Sequence, residues 1–432
     1  MGNTDFKNVY LIPHKNNRYI VYLPIHGIIF NGNASAVNLF YDAMNGDIKA
    51  QSRFGLNPGQ IEKIRRAESK PQTEKKNQFC PTAVTLFLTS NCSLRCKYCY
   101  ANAGESDLQI KKQDIEIAVS EVIENALRSG KREVTVSYHG GGDIGVVWDL
   151  VEDATESILA LARKNNITVW FNSGINGVLS DHQREWIVKR IHSVTVSIDG
   201  NRDIQNRLRP LRNGNPSFEM VDATLKYFDE QNFKYAIRST ITDETVSQMG
   251  EITSFFCKNY KAKKIKMEPV FVQGRASRNK VRAPSADDFV RNFKRAYKIA
   301  MSHNRELLYS GARFDMLTEI FCMAAGSSFG VTPEGNITSC YEVLEKANPL
   351  SDIFFYGKIE GGSVVLFPDK LEKLTKLNVH EKEKCGRCFA RFHCAGDCPA
   401  KTILSCKEDP ENDYRCIINR ELTKDQLLRS IK

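Results

Sequence analysis

Apolar residues along this chain keep two rhythms. Between Pro81 and about Asn304, six short runs rich in β-branched residues recur: "TAVTLFLTS", "REVTVSYHG", "ITVWFNSGI", "SVTVSID", "FKYAIRSTI" and "KKIKMEPV". Mostly apolar runs of this length predict strands covered on both faces. Between them lie segments such as "IEIAVSEVIENALRSG" and "VWDLVEDATESILALARKNN", whose apolar residues recur at helical spacing. Six successive strand–helix units predict a parallel sheet with helices outside it. Six are too few for a closed eightfold barrel. The fold class expected is therefore α/β, a partial (β/α)6 TIM-type barrel over residues 81–304. In such folds the functional groups gather at the C-terminal strand ends.

The pattern differs on either side. Residues 1–75 read as a small α+β unit. "NVYLIPHK" and "RYIVYLPIHGIIFNGN" predict strands, the second turning near Gly27. "SAVNLFYDAMNG" predicts a helix capped by Ser35 and stopped at Gly46, and "NPGQIEKIRRAES" a second one. The polar stretch "KPQTEKKNQ" reads as a linker. From residue 305 to 432 the alternation stops, and glycines, turn residues and eight cysteines replace it. "FGVTPEGNITSC" predicts a hairpin about Pro333-Glu334-Gly335. So few regular elements point to metal cross-links as the source of shape there.

Composition narrows the chemistry. The chain has 432 residues and 13 cysteines, with no apolar run near the ~18 residues of a membrane span and no signal-like N-terminus. These features predict a cytoplasmic protein whose cysteines bind metal or do redox work rather than form disulfides. The net charge of +10 is spread thinly, and no nucleic-acid-binding motif accompanies it. It reads as a solvated basic surface, or as a match for an acidic partner.

The first cysteine cluster, "TSNCSLRCKYCYANAGE", places Cys92, Cys96 and Cys99 at C-x3-C-x2-C just after the first barrel strand. Three thiolates on one loop suit three irons of a 4Fe–4S cluster. A structural zinc site would need a fourth Cys or His, which this loop lacks. The spacing resembles the signature of the radical S-adenosylmethionine (SAM) enzymes. That resemblance implies that the amino and carboxylate groups of SAM chelate the fourth iron. It also implies that reductive cleavage of SAM gives methionine and a 5′-deoxyadenosyl radical, which abstracts a substrate hydrogen. The catalytic set so implied is Cys92, Cys96 and Cys99.

Further SAM contacts follow from the same resemblance, each beside a plainer reading. Tyr98 matches an aromatic position that contacts adenine, or it packs the loop. "HGGGD" stands where the family carries Gly-Gly-Glu, so Gly141, Gly142 and Asp143 would hold the SAM ammonium, Asp replacing the usual Glu. A simple Gly-rich turn is the alternative. "NSGING" places Asn176 in a family-like Asn-Gly turn. "SIDGN" offers Ser197 to the SAM carboxylate or ribose, with Asp199 either a ligand or a turn cap. Arg238 in "IRST" would pair with the SAM carboxylate or serve an ordinary surface pair, and Glu268 in "KMEPV" would be a substrate group or a solvated carboxylate.

The C-terminal cysteines resemble the seven-cysteine SPASM extension of radical SAM enzymes that modify peptides. The resemblance implies two auxiliary 4Fe–4S clusters, one on Cys385, Cys388, Cys394 and Cys416, the other on Cys322, Cys340 and Cys398. With the SAM-binding cluster this makes three. The second set has only three cysteines, so it has either an open iron or an unassigned ligand, and Cys406 is the nearest spare in sequence. Structural zinc is the alternative for the C-x2-C pair. Cys257 reads as a buried apolar residue and Cys80 as an exposed one.

The expected protein is thus a radical SAM oxidoreductase that cross-links a ribosomally made precursor peptide through a thioether, carbon–carbon or ether bond. Residues 1–75 would be a leader-peptide recognition element binding the leader as an added strand, or a cap packed on the barrel. An electron donor such as flavodoxin or ferredoxin is implied. An anaerobic sulfatase-maturating, formylglycine-forming enzyme is the alternative, although Tyr341 stands where that subfamily carries an Asp that serves as a base. A non-catalytic iron–sulfur electron carrier or peptide-binding partner is the alternative of another class.

Overall fold

The structure is a computed structural model and describes residues 6, 8–55, 57–66, 79–404 and 413–431. The expected linker at 70–78 and the spare Cys406 lie outside these residues. All six barrel strands form where the periodicity places them: β4 (Ala83–Phe87), β5 (Glu133–His139), β6 (Thr168–Ile175), β7 (Ser193–Ser197), β8 (Tyr235–Ile241) and β9 (Lys264–Pro269). They pair in parallel and in sequence order, giving a partial (β/α)6 barrel.

The outer face of this sheet is the apolar one. On β5, Val134, Val136 and Tyr138 are buried. The helix Lys112–Arg128 faces the sheet with Ile115, Ala118, Val119, Val122, Ile123 and Ala126, a stripe at helical spacing. The inner face departs from the expectation of strands apolar on both sides. Ser137, His139, Asn172, Gly174, Ser193, Thr195 and Ser197 alternate with the apolar positions and line a cavity. A lumen that holds a ligand cannot also be filled by branched aliphatic side chains.

The sheet does not stop at the barrel. β10 (Glu306–Leu308) adds in parallel beyond β9. On the opposite edge, β11 (Gly330–Val331) pairs in parallel with β4, Gly330 opposite Thr85 and Val331 opposite Leu86. From β11 the chain turns back as β12 (Asn336–Thr338), the hairpin expected around Pro333-Glu334-Gly335, and continues antiparallel through β13 (Phe355–Glu360) and β14 (Ser363–Leu366). The result is one sheet of eleven strands in the order β10-β9-β8-β7-β6-β5-β4-β11-β12-β13-β14. The region after 305 therefore carries more regular structure than its composition predicts. It ends in a 17-residue helix, Tyr414–Ser430.

The N-terminal unit is a three-stranded antiparallel sheet, β1 (Tyr10–His14), β2 (Arg18–Leu23) and β3 (Ile28–Gly32). Its helix Ala34–Asn45 is capped by Asn33, not Ser35: the Asn33 carboxamide accepts from the Ala36 amide at 2.9 Å. Gly46 ends it with φ 111°, a conformation glycine takes without strain. Asp47 then caps a helix that periodicity did not reveal, Ile48–Phe54, accepting from the Lys49 and Ala50 amides. The helix Pro58–Arg66 follows. One face of the small sheet packs on these helices through Val9, Val21, Leu23, Phe40 and Met44. The other packs Tyr10, Ile12, Ile20 and Tyr22 against Leu427 and Phe389. The unit thus rests on the C-terminal region.

Candidate metal and cofactor centre

The loop after β4 is folded by its own hydrogen bonds. The Arg95 guanidinium donates to the carbonyls of Cys92 and Leu94 at 3.0 and 2.9 Å and to that of Gly104 at 2.6 Å. This clamp turns Cys92, Cys96 and Cys99 toward one cavity of about 470 Å³ at the C-terminal strand ends. The Cys92 sulfur accepts from the Leu94 amide at 3.4 Å and from the Asn176 side chain at 3.6 Å. The Cys99 sulfur accepts from the Ala103 amide at 3.4 Å. Hydrogen bonds to sulfur of this kind tune iron–sulfur clusters. Burial, above all, pushes the Cys92 thiol up to about 12, with Asp143 and Cys96 adding to the effect. Burial likewise raises Cys96 to about 11. A metal taken up here must therefore displace protons.

The "HGGGD" segment is pinned across the cysteine loop. The Gly142 amide donates to Thr89 O at 2.8 Å and the Asp143 amide to Asn91 O at 2.9 Å. A Cβ on Gly142 would lie 1.8 Å from Asn91 O, so only glycine fits this crossing. Asp143 is buried, and both its oxygens already accept backbone N–H groups, from Gly145 at 2.9 Å and Asn176 at 2.7 Å. The carboxylate that stands in for Glu thus braces the turn. Asn176 is a second brace: its amide nitrogen reaches Ser93 Oγ at 3.0 Å as well as the Cys92 sulfur.

The remaining sequence-derived positions divide by depth. Ser197, Arg238 and Glu268 line the cavity, as do Gly141, Gly142 and Asp143. Among the described residues Arg238 has no ion-pair or hydrogen-bond partner there, leaving its guanidinium open to a carboxylate. Glu268 is held from behind by the Ser310 amide and hydroxyl, both at 2.9 Å. Asp199 is fully buried, accepts from the Tyr98 hydroxyl, and receives the Thr240 amide at 3.0 Å. It fixes Tyr98 from behind the lining.

Arg209, which sequence reasoning missed, completes this group. It is buried, donates to the Tyr98 hydroxyl at 3.0 Å, and its Nε has no partner among the described residues. A buried cation with a spare donor beside Cys96 suits an anionic ligand. His139 is the other omission: it is half-buried, its buried Nδ1 lacks a partner among the described residues, and desolvation with Arg238 nearby lowers its pKa to about 4, so it is neutral near pH 7. It packs against Tyr341, ring centroids 4.6 Å apart. Tyr341, Glu342 and Lys401, all C-terminal, complete the lining.

Behind that wall the C-terminal cysteines separate into two neighbourhoods. The Cys340 thiol, raised first by burial, also feels Cys398 and Cys322. Cys394, likewise raised by burial, feels Cys388, Cys385 and Cys416. A local device recurs: backbone amides two residues on, at Leu94, Ala324, Glu342 and Ala390, point back at the sulfurs of Cys92, Cys322, Cys340 and Cys388. Among the described residues, no three or more His, Cys, Asp or Glu side chains are placed to hold a single metal ion. Cys257 is buried, and Cys80 is half-buried against Asn125. Among the described residues no helix is long and apolar enough to cross a membrane.

Residues 86–256 match the Radical SAM superfamily. Over 173 residues the chain is 22% identical to a cysteine-type anaerobic sulfatase-maturating enzyme of Clostridium novyi (strain NT), covering 39% of this chain and 46% of that protein. Over 177 residues it is 24% identical to the sporulation killing factor maturation protein SkfB of Bacillus subtilis (strain 168), covering 41% and 40%. The matches thus span under half the length of these curated relatives. Among solved structures, native anSMEcpe with bound AdoMet superposes with a TM-score of 0.58 at 16% identity, over 80% of this chain and 96% of its own. Streptococcus suis SuiB bound to precursor peptide SuiA superposes with a TM-score of 0.55 at 14% identity, over 95% and 98%.

Proposed function

We propose that the radical SAM domain at residues 86–256 holds a 4Fe–4S cluster on Cys92, Cys96 and Cys99, binds SAM against it, and modifies a ribosomally made precursor peptide. The observation that carries this reading is the convergence of three cysteines, the glycine crossing and the open Arg238 on one cavity. When bound, the cluster and SAM would supply radical hydrogen-abstraction chemistry at the cavity. The chain's residues do the rest by placement. Asn176 and the Leu94 amide orient Cys92. Gly141 and Gly142 let an ammonium approach the backbone, Asp143 and Asn176 hold that backbone still, and Arg238 and Arg209 neutralise carboxylate. Tyr98, fixed by Asp199, offers a ring to adenine. Tyr341, Glu342 and Lys401 close the C-terminal side and keep water from a reactive intermediate.

Two further 4Fe–4S clusters on the C-terminal cysteines complete the proposal, with a flavodoxin- or ferredoxin-type donor supplying electrons. The N-terminal unit favours a leader-bearing peptide as substrate: β3 is an edge of a three-stranded sheet, unpaired on its outer side among the described residues and able to accept an added strand. The likeness to SuiB extends over 95% of the chain, against 80% for anSMEcpe, and so takes in this unit as fold. Sulfatase maturation remains the second reading, favoured by the sequence match to the Clostridium novyi enzyme.

The test is direct. Anaerobically reconstituted protein, reduced with dithionite in the presence of SAM, will release 5′-deoxyadenosine. Failure to do so with intact clusters would leave only the electron-carrier or binding role. Gly142→Ala should weaken SAM binding at least tenfold, about 1.4 kcal/mol, because its methyl group would collide with backbone rather than a movable side chain. Equilibrium dialysis of SAM checks this; unchanged affinity would remove the glycine crossing from the site.

A further inference from the structure

The trio Cys322, Cys340 and Cys398 provides three thiolates for a four-iron cluster, and the described residues add no fourth cysteine to it: Cys80 and Cys257 lie elsewhere. Glu342 stands two residues beyond Cys340, on the turn closed by the Val343 amide and Cys340 O at 3.1 Å. Its amide already points at the Cys340 sulfur, as the Lys401 amide points at that of Cys398. Its carboxylate reaches Lys401 at 3.6 Å, thereby spanning the two cysteine-bearing segments. All three thiols of the trio feel its negative charge. From the barrel side the Gln273 carboxamide donates to Glu342 Oε2 at 3.1 Å. A carboxylate that binds metal is characteristically held by such outer hydrogen bonds.

We propose that Glu342 is the fourth ligand of the cluster held by Cys322, Cys340 and Cys398, with Lys401 and Gln273 as its supporting partners. This rests on the auxiliary-cluster part of the function proposed above. A carboxylate in place of a thiolate is a harder donor. It also leaves this cluster with no exchangeable position facing the cavity, so its task is electron transfer and not direct binding of substrate.

The experiment uses the full chain with Cys92, Cys96 and Cys99 replaced by Ala, which removes the first site's signal. Reduced samples in H₂¹⁷O are compared by electron paramagnetic resonance. The parent should show no ¹⁷O broadening of the trio's signal, and Glu342→Gln should gain it as water takes the freed position. Cys406→Ala should match the parent. Broadening already present in the parent, none in Glu342→Gln, or broadening produced by Cys406→Ala would each overturn the assignment. An iron content about four short with no trio signal would instead refute the auxiliary cluster itself.

Discussion

Replacing Cys92, Cys96 and Cys99 together with Ala will abolish 5′-deoxyadenosine release and lower the iron content from about twelve to about eight atoms per chain. The loss should be confined to one site because protein hydrogen bonds also hold the loop. Arg95 holds it through three backbone carbonyls, and the Arg95 and Lys97 amides donate to Pro210 O at 2.8 Å and Leu208 O at 2.9 Å. The seven C-terminal cysteines assigned to the auxiliary clusters stand on other segments. Circular dichroism and the auxiliary-cluster spectra should therefore match the parent. Continued SAM cleavage by the triple variant would refute the assignment of the first site. A fall of all twelve irons would mean that the clusters assemble as one unit.

Arg415→Met should cost about 3–5 kcal/mol and release iron from the four-cysteine site. Asp397 and Arg415 form a two-point ion pair at 2.5 and 2.8 Å, with side chains only 2% and 6% exposed. Asp397 lies between Cys394 and Cys398, and Arg415 precedes Cys416, so the pair ties the cysteine loop to the final helix. The chain passes Ala395 and Asp397 with φ of 49° and 64°, a path that L-residues adopt only when held. Removing the arginine leaves a buried, unpaired carboxylate there. Replacing both partners, Asp397→Leu with Arg415→Met, should recover part of the loss. Thermal melts and iron counts of the three variants close the cycle; a single variant as stable as the parent would show that the pair contributes little.

The fold is most legible in the sequence where local pattern suffices. The six barrel strands were legible because each carries apolar residues for the outer helices, and the cysteine loops because spacing is itself the signal. Asn33 displaced Ser35 as a helix cap because both residue types cap well and only the chain's path decides between them. Arg209 gave no signal: it sits in "NRLRPLRNG", among several arginines of a basic chain, and only the fold brings it beside Tyr98. The polar inner face was hidden because alternate serines and threonines are good strand residues wherever they point. Strands β10 and β14 are short, three and four residues, and they owe their pairing to neighbours rather than to their own composition.

The pairing of β11 with β4 bears on how the protein can be made. These partners are some 245 positions apart, so during synthesis the segment leading to the first cysteine loop waits with a bare flank until the distant hairpin emerges. A truncated product ending before residue 330 would keep that flank open permanently and would tend to self-associate. Recombinant production of the barrel alone is therefore expected to yield inclusion bodies, whereas co-expressing residues 305–432 should rescue solubility.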